Sequence, residues 1–261
     1  MFALILFPLS QMSVEIPSTE IHWLIDSNQI QRDLTALNSV SSDPNILFEH
    51  IGGAGNLNTY RLSGMSLLEK AVQWKLPKAA GVLIQAGFDL KARATDQSSI
   101  LSFIIKQTMN LELTVIEKRE WVPVAKSAIE RGADASSNML GDCPLIEAVN
   151  CAQSWFCGGI GDYTLLSLIL SKGGNPNMVA YFKGPTGDSL EVTTPLLQAV
   201  RVNDPDLALF LLKHGANKDL RCAGISPLAY AESMSTINVS APGEPPAYPW
   251  RKIYEILANY K

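Results

Sequence analysis

The side chains with the most capacity for covalent or metal chemistry are four cysteines (Cys143, Cys151, Cys157, Cys222) and three histidines (His22, His50, His214). Their spacing supports little of it. Four irregularly placed cysteines do not make a disulfide framework. The histidines are far apart and no Cys-x-x-Cys pair exists, so no metal site is expected. Cys157 as a nucleophile would need a base to take its proton, and no histidine lies near it in sequence. "HIGGAGN" (His50–Asn56) looks like a phosphate loop but lacks both the Gly-Lys-Ser/Thr of one and the third glycine of a dinucleotide fingerprint. It reads instead as a flexible junction, and "CGGIGD" (Cys157–Asp162) has the same weakness. His214 falls at a helix end, where a favourable dipole contact is the simpler role. The acidic residues are scattered, with no pair placeable across a cleft. The expectation is no catalytic residue, no metal, no cofactor and no enzyme. The alternative is an unusual site built by inserted segments around Cys157 or Asp162.

The elements that carry these residues decide the rest. Apolar residues make up 47% of the 261 and charged ones 18%, which is the balance of a folded chain. A net charge of −4 argues against nucleic acid as the main partner. The apolar start "MFALILFPLS" is too short to span a bilayer as a helix. No Lys or Arg precedes it, Pro8 interrupts it and no Ala-x-Ala follows, so a hydrophobic strap is expected over a signal. A membrane enters only if residues 1–13 are an anchor. The compartment expected is cytoplasmic, or periplasmic or secreted if they are a signal.

The organising feature is a repeat. Thr194-Pro195-Leu196 opens a short apolar stripe, Asp204-Pro205 opens a longer one, and Gly215-Ala216-Asn217 closes it. Thr and Asp are helix caps, and proline is tolerated in a first turn because its missing N–H is not needed there. Gly215 supplies the left-handed stop. Upstream, Ser66-Leu67-Leu68 answers Thr194-Pro195-Leu196, and Ala71 and Gly87 are sixteen apart, as are Ala199 and Gly215. Further openings fall at Ser99, Cys143 and Ser226, and further closings at Gly132 and Gly173. Two helices and a turn cannot bury their apolar faces alone, so the units must stack.

These offsets resemble the ankyrin-repeat family, whose unit runs Gly-x-Thr-Pro-Leu-x-x-Ala and ends Gly-Ala-Asp. The matching positions are Gly64, Ala71 and Gly87-Phe88-Asp89; Gly132-Ala133-Asp134; Gly141 and Pro144-Leu145; Thr194-Pro195-Leu196, Ala199 and Gly215-Ala216-Asn217; and Gly224 with Ser226-Pro227-Leu228. The resemblance implies an all-α solenoid of about five to six helix–turn–helix repeats with hairpin fingers and inserted loops. Residues 60–261 would hold the repeats and a terminal capping helix. Residues 14–59 would form a helical cap or divergent repeat, with "STEIHWLIDSNQIQRDLTALN" as paired helical stripes.

Departures from the repeat mark the sites. Three segments lengthen the step between first and second helix and should project from one edge: "LELTVIEKREWVP", "CAQSWFCGGIGDY" and the proline-rich "SMSTINVSAPGEPPAYP". A fourth, Val179–Val192, lengthens a finger hairpin. The resemblance implies recognition of one protein partner through the fingers and the concave face of the first helices. By register that face offers Lys70, Gln73, Trp74, Glu147, Asn150, Gln198 and Arg201, with Trp74 at the surface and Lys70 and Arg201 as solvated charges. In the insertions Trp155, Phe156, Tyr181, Phe182 and Lys183 stand out, since exposed rings are rare without a purpose. Trp155 and Phe156 as local plugs are an equal alternative. The expected function is a dedicated binder of the inhibitor or immunity type. A host-directed effector or adaptor is the alternative.

Overall fold

The computed structural model describes residues 18–39, 43–110, 112–137, 142–152, 163–183, 190–236 and 248–261. An N-terminal helix α1 (Ser18–Ser39) and a single turn α2 (Asn45–Phe48) precede the first finger, β1 (Arg61–Leu62) and β2 (Met65–Ser66). Five helix pairs follow. They are α3 (Leu67–Gln73) with α4 (Pro77–Gln85), α5 (Ile100–Ile105) with α6 (Val115–Glu130), and α7 (Pro144–Ala152) with α8 (Thr164–Ser171). After a hairpin of β3 (Ala180–Lys183) and β4 (Leu190–Thr193) come α9 (Pro195–Arg201) with α10 (Pro205–Lys213), and α11 (Pro227–Thr236) with α12 (Tyr248–Asn259).

The punctuation in the sequence does what its chemistry requires. The hydroxyls of Ser66, Ser99 and Thr194 accept from the third backbone N–H of α3, α5 and α9, and Asp204 does the same for α10. Pro77, Pro195 and Pro205 stand in first turns, where no N–H is missed. Gly87, Gly132, Gly173 and Gly215 follow the second helices at φ between 88 and 102°, a region a Cβ disfavours.

First helices α5, α7, α9 and α11 pack in one layer; α1, α4, α6 and α8, then α10 and α12, pack in the other. The core between them is continuous, from Leu34 and Leu47 to Ile253 and Leu257. The family expectation of an all-α solenoid therefore holds.

Buried acids fasten the fingers. Glu69, 3% exposed, accepts from the N–H and hydroxyl of its own cap Ser66 at 2.9 and 2.8 Å, and from those of Thr95 in the next finger at 2.6 and 2.8 Å. Burial would raise its carboxyl, but these donors outweigh burial and lower it. Asp142, 1% exposed, takes Ser99 Oγ, Ser137 Oγ and Arg93 Nη1 at 2.6, 2.7 and 2.6 Å. Those donors likewise overcome its burial and bring it down to about 2.

Three expectations are corrected here. "LELTVIEKREWVP" is not a projecting loop: from Val115 onward it is helix, and Trp121 within it is 1% exposed. α6 runs sixteen residues against nine for α4 and α10, so the insertion extends the second helix toward its N-terminus. Pro123 lies inside the helix. The new start is fixed by a capping box: Thr114 Oγ1 accepts from Glu117 N, and the Glu117 carboxylate accepts from Thr114 N. Thr114→Ala should therefore cost about 1 kcal/mol in urea denaturation. An unchanged midpoint would mean that this added helix end contributes nothing.

The paired stripes read in residues 18–38 are one helix, α1. "HIGGAGN" is an ordered turn rather than a flexible junction. His50 Nδ1 lies 2.9 Å from Asp33 Oδ2 of α1, and Asn56 Nδ2 donates to Ile51 O at 2.7 Å. Just beyond it, Asn58 grips the following unit, donating to Gly87 O and accepting from Asp89 N. Asn177 makes the same pair of bonds to Gly215 O and Asn217 N. The chain before the first finger thus carries a repeat-like closing turn.

Candidate functional site

Two positions recur in every first helix, the fourth and seventh after its capping residue. The fourth positions are Lys70, Phe103, Glu147, Gln198 and Tyr230, and the seventh are Gln73, Lys106, Asn150, Arg201 and Ser233. Stacking brings the seventh residue of one unit beside the fourth of the next. Gln198 Nε2 donates to Asn150 Oδ1 across that step at 3.0 Å. The Lys106 ammonium acts electrostatically on Glu147 across the preceding one.

From α5 to α9 these positions meet in one row, with Lys70 and Gln73 of α3 in the same register, but their individual states differ from expectation. Lys70 is not a solvated charge: it is 8% exposed, with Nζ 5.6 Å from the centroid of the Trp74 ring. Its ammonium donates to Gln73 Oε1 at 3.0 Å. Trp74 is not fully at the surface; it caps α3 and packs partly against the core, while Gln73 is exposed. Glu147 is partly buried; burial raises its carboxyl to about 7, Asp142 adding to the rise and Lys106 opposing it. Arg201 is half-exposed at the end of α9. Phe103, Lys106 and Tyr230 were missed by sequence reasoning, although the same offsets from Ser99 and Ser226 point to them.

The finger residues are only partly in view. Tyr181 is 44% exposed on β3, opposite Val192 of β4. Phe182 and Lys183 belong to the same strand, and their side chains lie outside the description. Trp155 and Phe156, with Cys157 and Asp162, lie outside the described residues. A second concavity, a cleft of about 420 Å³, opens between successive fingers and is lined by Leu90, Lys91, Arg93, Ser99, Gly132 and Asp134. Arg93 and Ser99 are already engaged by Asp142.

Catalytic chemistry finds no support among the described residues. Burial pushes the Cys143 thiol up to about 12, the opposite of what a nucleophile needs. Burial also raises Cys222, and Cys151 is buried in α7. His214 Nδ1 sits 2.8 Å from Phe210 O at the end of α10, and its ring stacks at 4.2 Å on Phe210. Among the described residues no group of three or more His, Cys, Asp or Glu could hold a metal ion. None of the described helices is long and apolar enough to cross a membrane.

Comparison with known proteins agrees with this geometry. Residues 193–223 match the model of the ankyrin repeat. No curated protein matches the chain. Among solved structures, an ankyrin repeat domain from Acinetobacter baumannii superposes with a TM-score of 0.53 at 20% identity, covering 92% of this chain and 97% of that one. A second ankyrin repeat protein gives 0.57 at 16% identity, covering 90% and 98%. At such identities the likeness shows the fold alone.

Proposed function

Since this chain carries an ankyrin repeat and has the ankyrin fold, typically a non-catalytic scaffold for protein–protein interaction, we propose that it recognises one protein partner and neutralises it. The partner would seat on the row from Lys70 to Tyr230, with Tyr181, Phe182, Lys183, Trp155 and Phe156 as further contacts. The observation that carries this reading is the row itself. Aromatic, amide and charged side chains share one register on rigid helices, and rigid aromatic and arginine anchors on a preformed surface are what binding hot spots require.

Inhibition is favoured over simple recruitment by the lengthened finger, whose paired strands are four residues long against two in the first finger. Such a finger can enter a partner's cleft, whereas a flat repeat face cannot. Affinity capture from the native cell, comparing the intact chain with a Trp155→Ala/Phe156→Ala/Phe182→Ala variant, tests the reading. A single protein recovered near one-to-one and weakened by a few kcal/mol in the folded variant is the expected result. A fallen melting temperature with unchanged affinity would make those rings local plugs. No stoichiometric partner at all would count against the binding reading.

A further inference from the structure

The charges along the concave row are not distributed like those of the whole chain. The protein is net negative at −4, yet the row carries Lys70, Lys106 and Arg201 against a single carboxylate, Glu147. Lys106 is committed, with Asp96 at 3.7 Å and Glu147 beside it. Lys70 in the first unit and Arg201 in the fourth have no carboxylate within ion-pair distance among the described residues. Lys70 is the more telling. The residue is 8% exposed, and among the described residues its ammonium donates to a neutral amide, Gln73 Oε1, rather than to a carboxylate. A carboxylate is a stronger partner for an ammonium than a neutral amide, and the Lys70 ammonium stands beside the partly covered face of Trp74.

We propose, resting on the reading above, that the concave row docks an acidic, extended protein segment whose carboxylates pair with Lys70 at one end and Arg201 at the other. α3 and α9 are three units apart, so at the usual 8–10 Å between packed helices the two cations stand roughly 25–30 Å apart. An extended chain covers that span in about nine residues. Between the ends, the half-exposed Asn150–Gln198 pair offers amides to a peptide backbone. Phe103 offers ring surface to a side chain of the segment. The one opposing carboxylate, Glu147, is itself held toward its neutral form. Two open cations over such a length suit a sparse acidic peptide rather than nucleic acid, whose charges recur every few ångströms.

The test uses the full chain and a fluorescein-labelled nine-residue peptide with glutamate at positions one and nine around a Ser/Leu centre. A lysine-ended peptide and a nine-nucleotide oligo-dT are run beside it. Anisotropy should show binding of the glutamate peptide alone. Affinity should fall at least tenfold in Lys70→Met and in Arg201→Met, each checked for an unchanged melting temperature, and should weaken with added salt. Equal binding of the lysine peptide, indifference to both variants, or no binding at millimolar peptide overturns the proposal. Preference for oligo-dT would make the row a nucleic-acid surface instead. If the captured partner still binds one-to-one while the glutamate peptide does not, the charge assignment fails and the binding reading stands. If neither binds, both fail.

Discussion

Asp142→Ala should destabilise the protein by about 2–3 kcal/mol, the range for losing hydrogen bonds to a buried charged group whose cationic partner stays partly in water. The loss has a visible cause. The substitution removes the carboxylate that Ser99 Oγ, Ser137 Oγ and Arg93 Nη1 share; Ser137 keeps the main-chain carbonyl of residue 142 at 3.2 Å, and the half-exposed Arg93 keeps the Gln97 carbonyl. It also cuts the tie between two adjacent fingers, and in a stack stability is passed between nearest neighbours. The pH dependence follows with a definite sign. The folded carboxyl titrates at about 2 against an ordinary 3.8, so its contribution is complete above pH 3.8 and is lost as pH falls through 2. Urea denaturation of wild type should weaken across that window, and Asp142→Ala should not share the slope. A change below about 1 kcal/mol at pH 7 would mean that the fingers are held without this carboxylate.

Glu147→Gln should act in the opposite direction. Burial raises this carboxyl from 4.5 to about 7, so the folded chain binds the proton more tightly than the unfolded one. Stability therefore falls as pH rises from 4.5 toward 7 and is flat beyond. Glutamine keeps the shape of the neutral acid without the charge, so the variant should gain on the order of 3 kcal/mol at pH 8 and almost nothing at pH 4.5. Paired denaturation curves at the two pH values measure it. A gain independent of pH would place the effect in packing rather than in the carboxylate. A residue that weakens the free protein in this way, on the face proposed for docking, fits a surface kept for binding.

Much of the fold was legible because the signals were local. A capping hydroxyl, a first-turn proline and a left-handed glycine each act within one turn, and Thr194, Pro195 and Gly215 do what their types dictate. Where the reading failed, the deciding interaction came from another unit. The segment ending at Pro123 reads as a projecting loop, but Trp121 within it has a place in the core and α6 runs on through the proline. Asn58 looks like any loop asparagine until its partners, thirty residues on, are known. The site was legible as a register but not as a set of environments. Offsets from the capping residues place Lys70, Glu147 and Gln198 in one row, yet only packing decides that Lys70 is sunk beside Trp74 and Glu147 is held half-neutral. The roles of Glu69 and Asp142 could not be read locally either, since the donors that satisfy them come largely from neighbouring fingers.

The central claim is that one face of the stack binds a protein. The most direct measurement is calorimetric titration of the captured partner with the intact chain, with Trp74→Ala/Gln198→Ala on the concave row, and with Lys172→Ala/Lys213→Ala at the far ends of α8 and α10. One-to-one binding by the intact chain and the far-end variant, with at least a tenfold loss in the folded concave variant, is the result expected. Equal affinity for the concave variant, or a loss confined to the far-end variant, would contradict it.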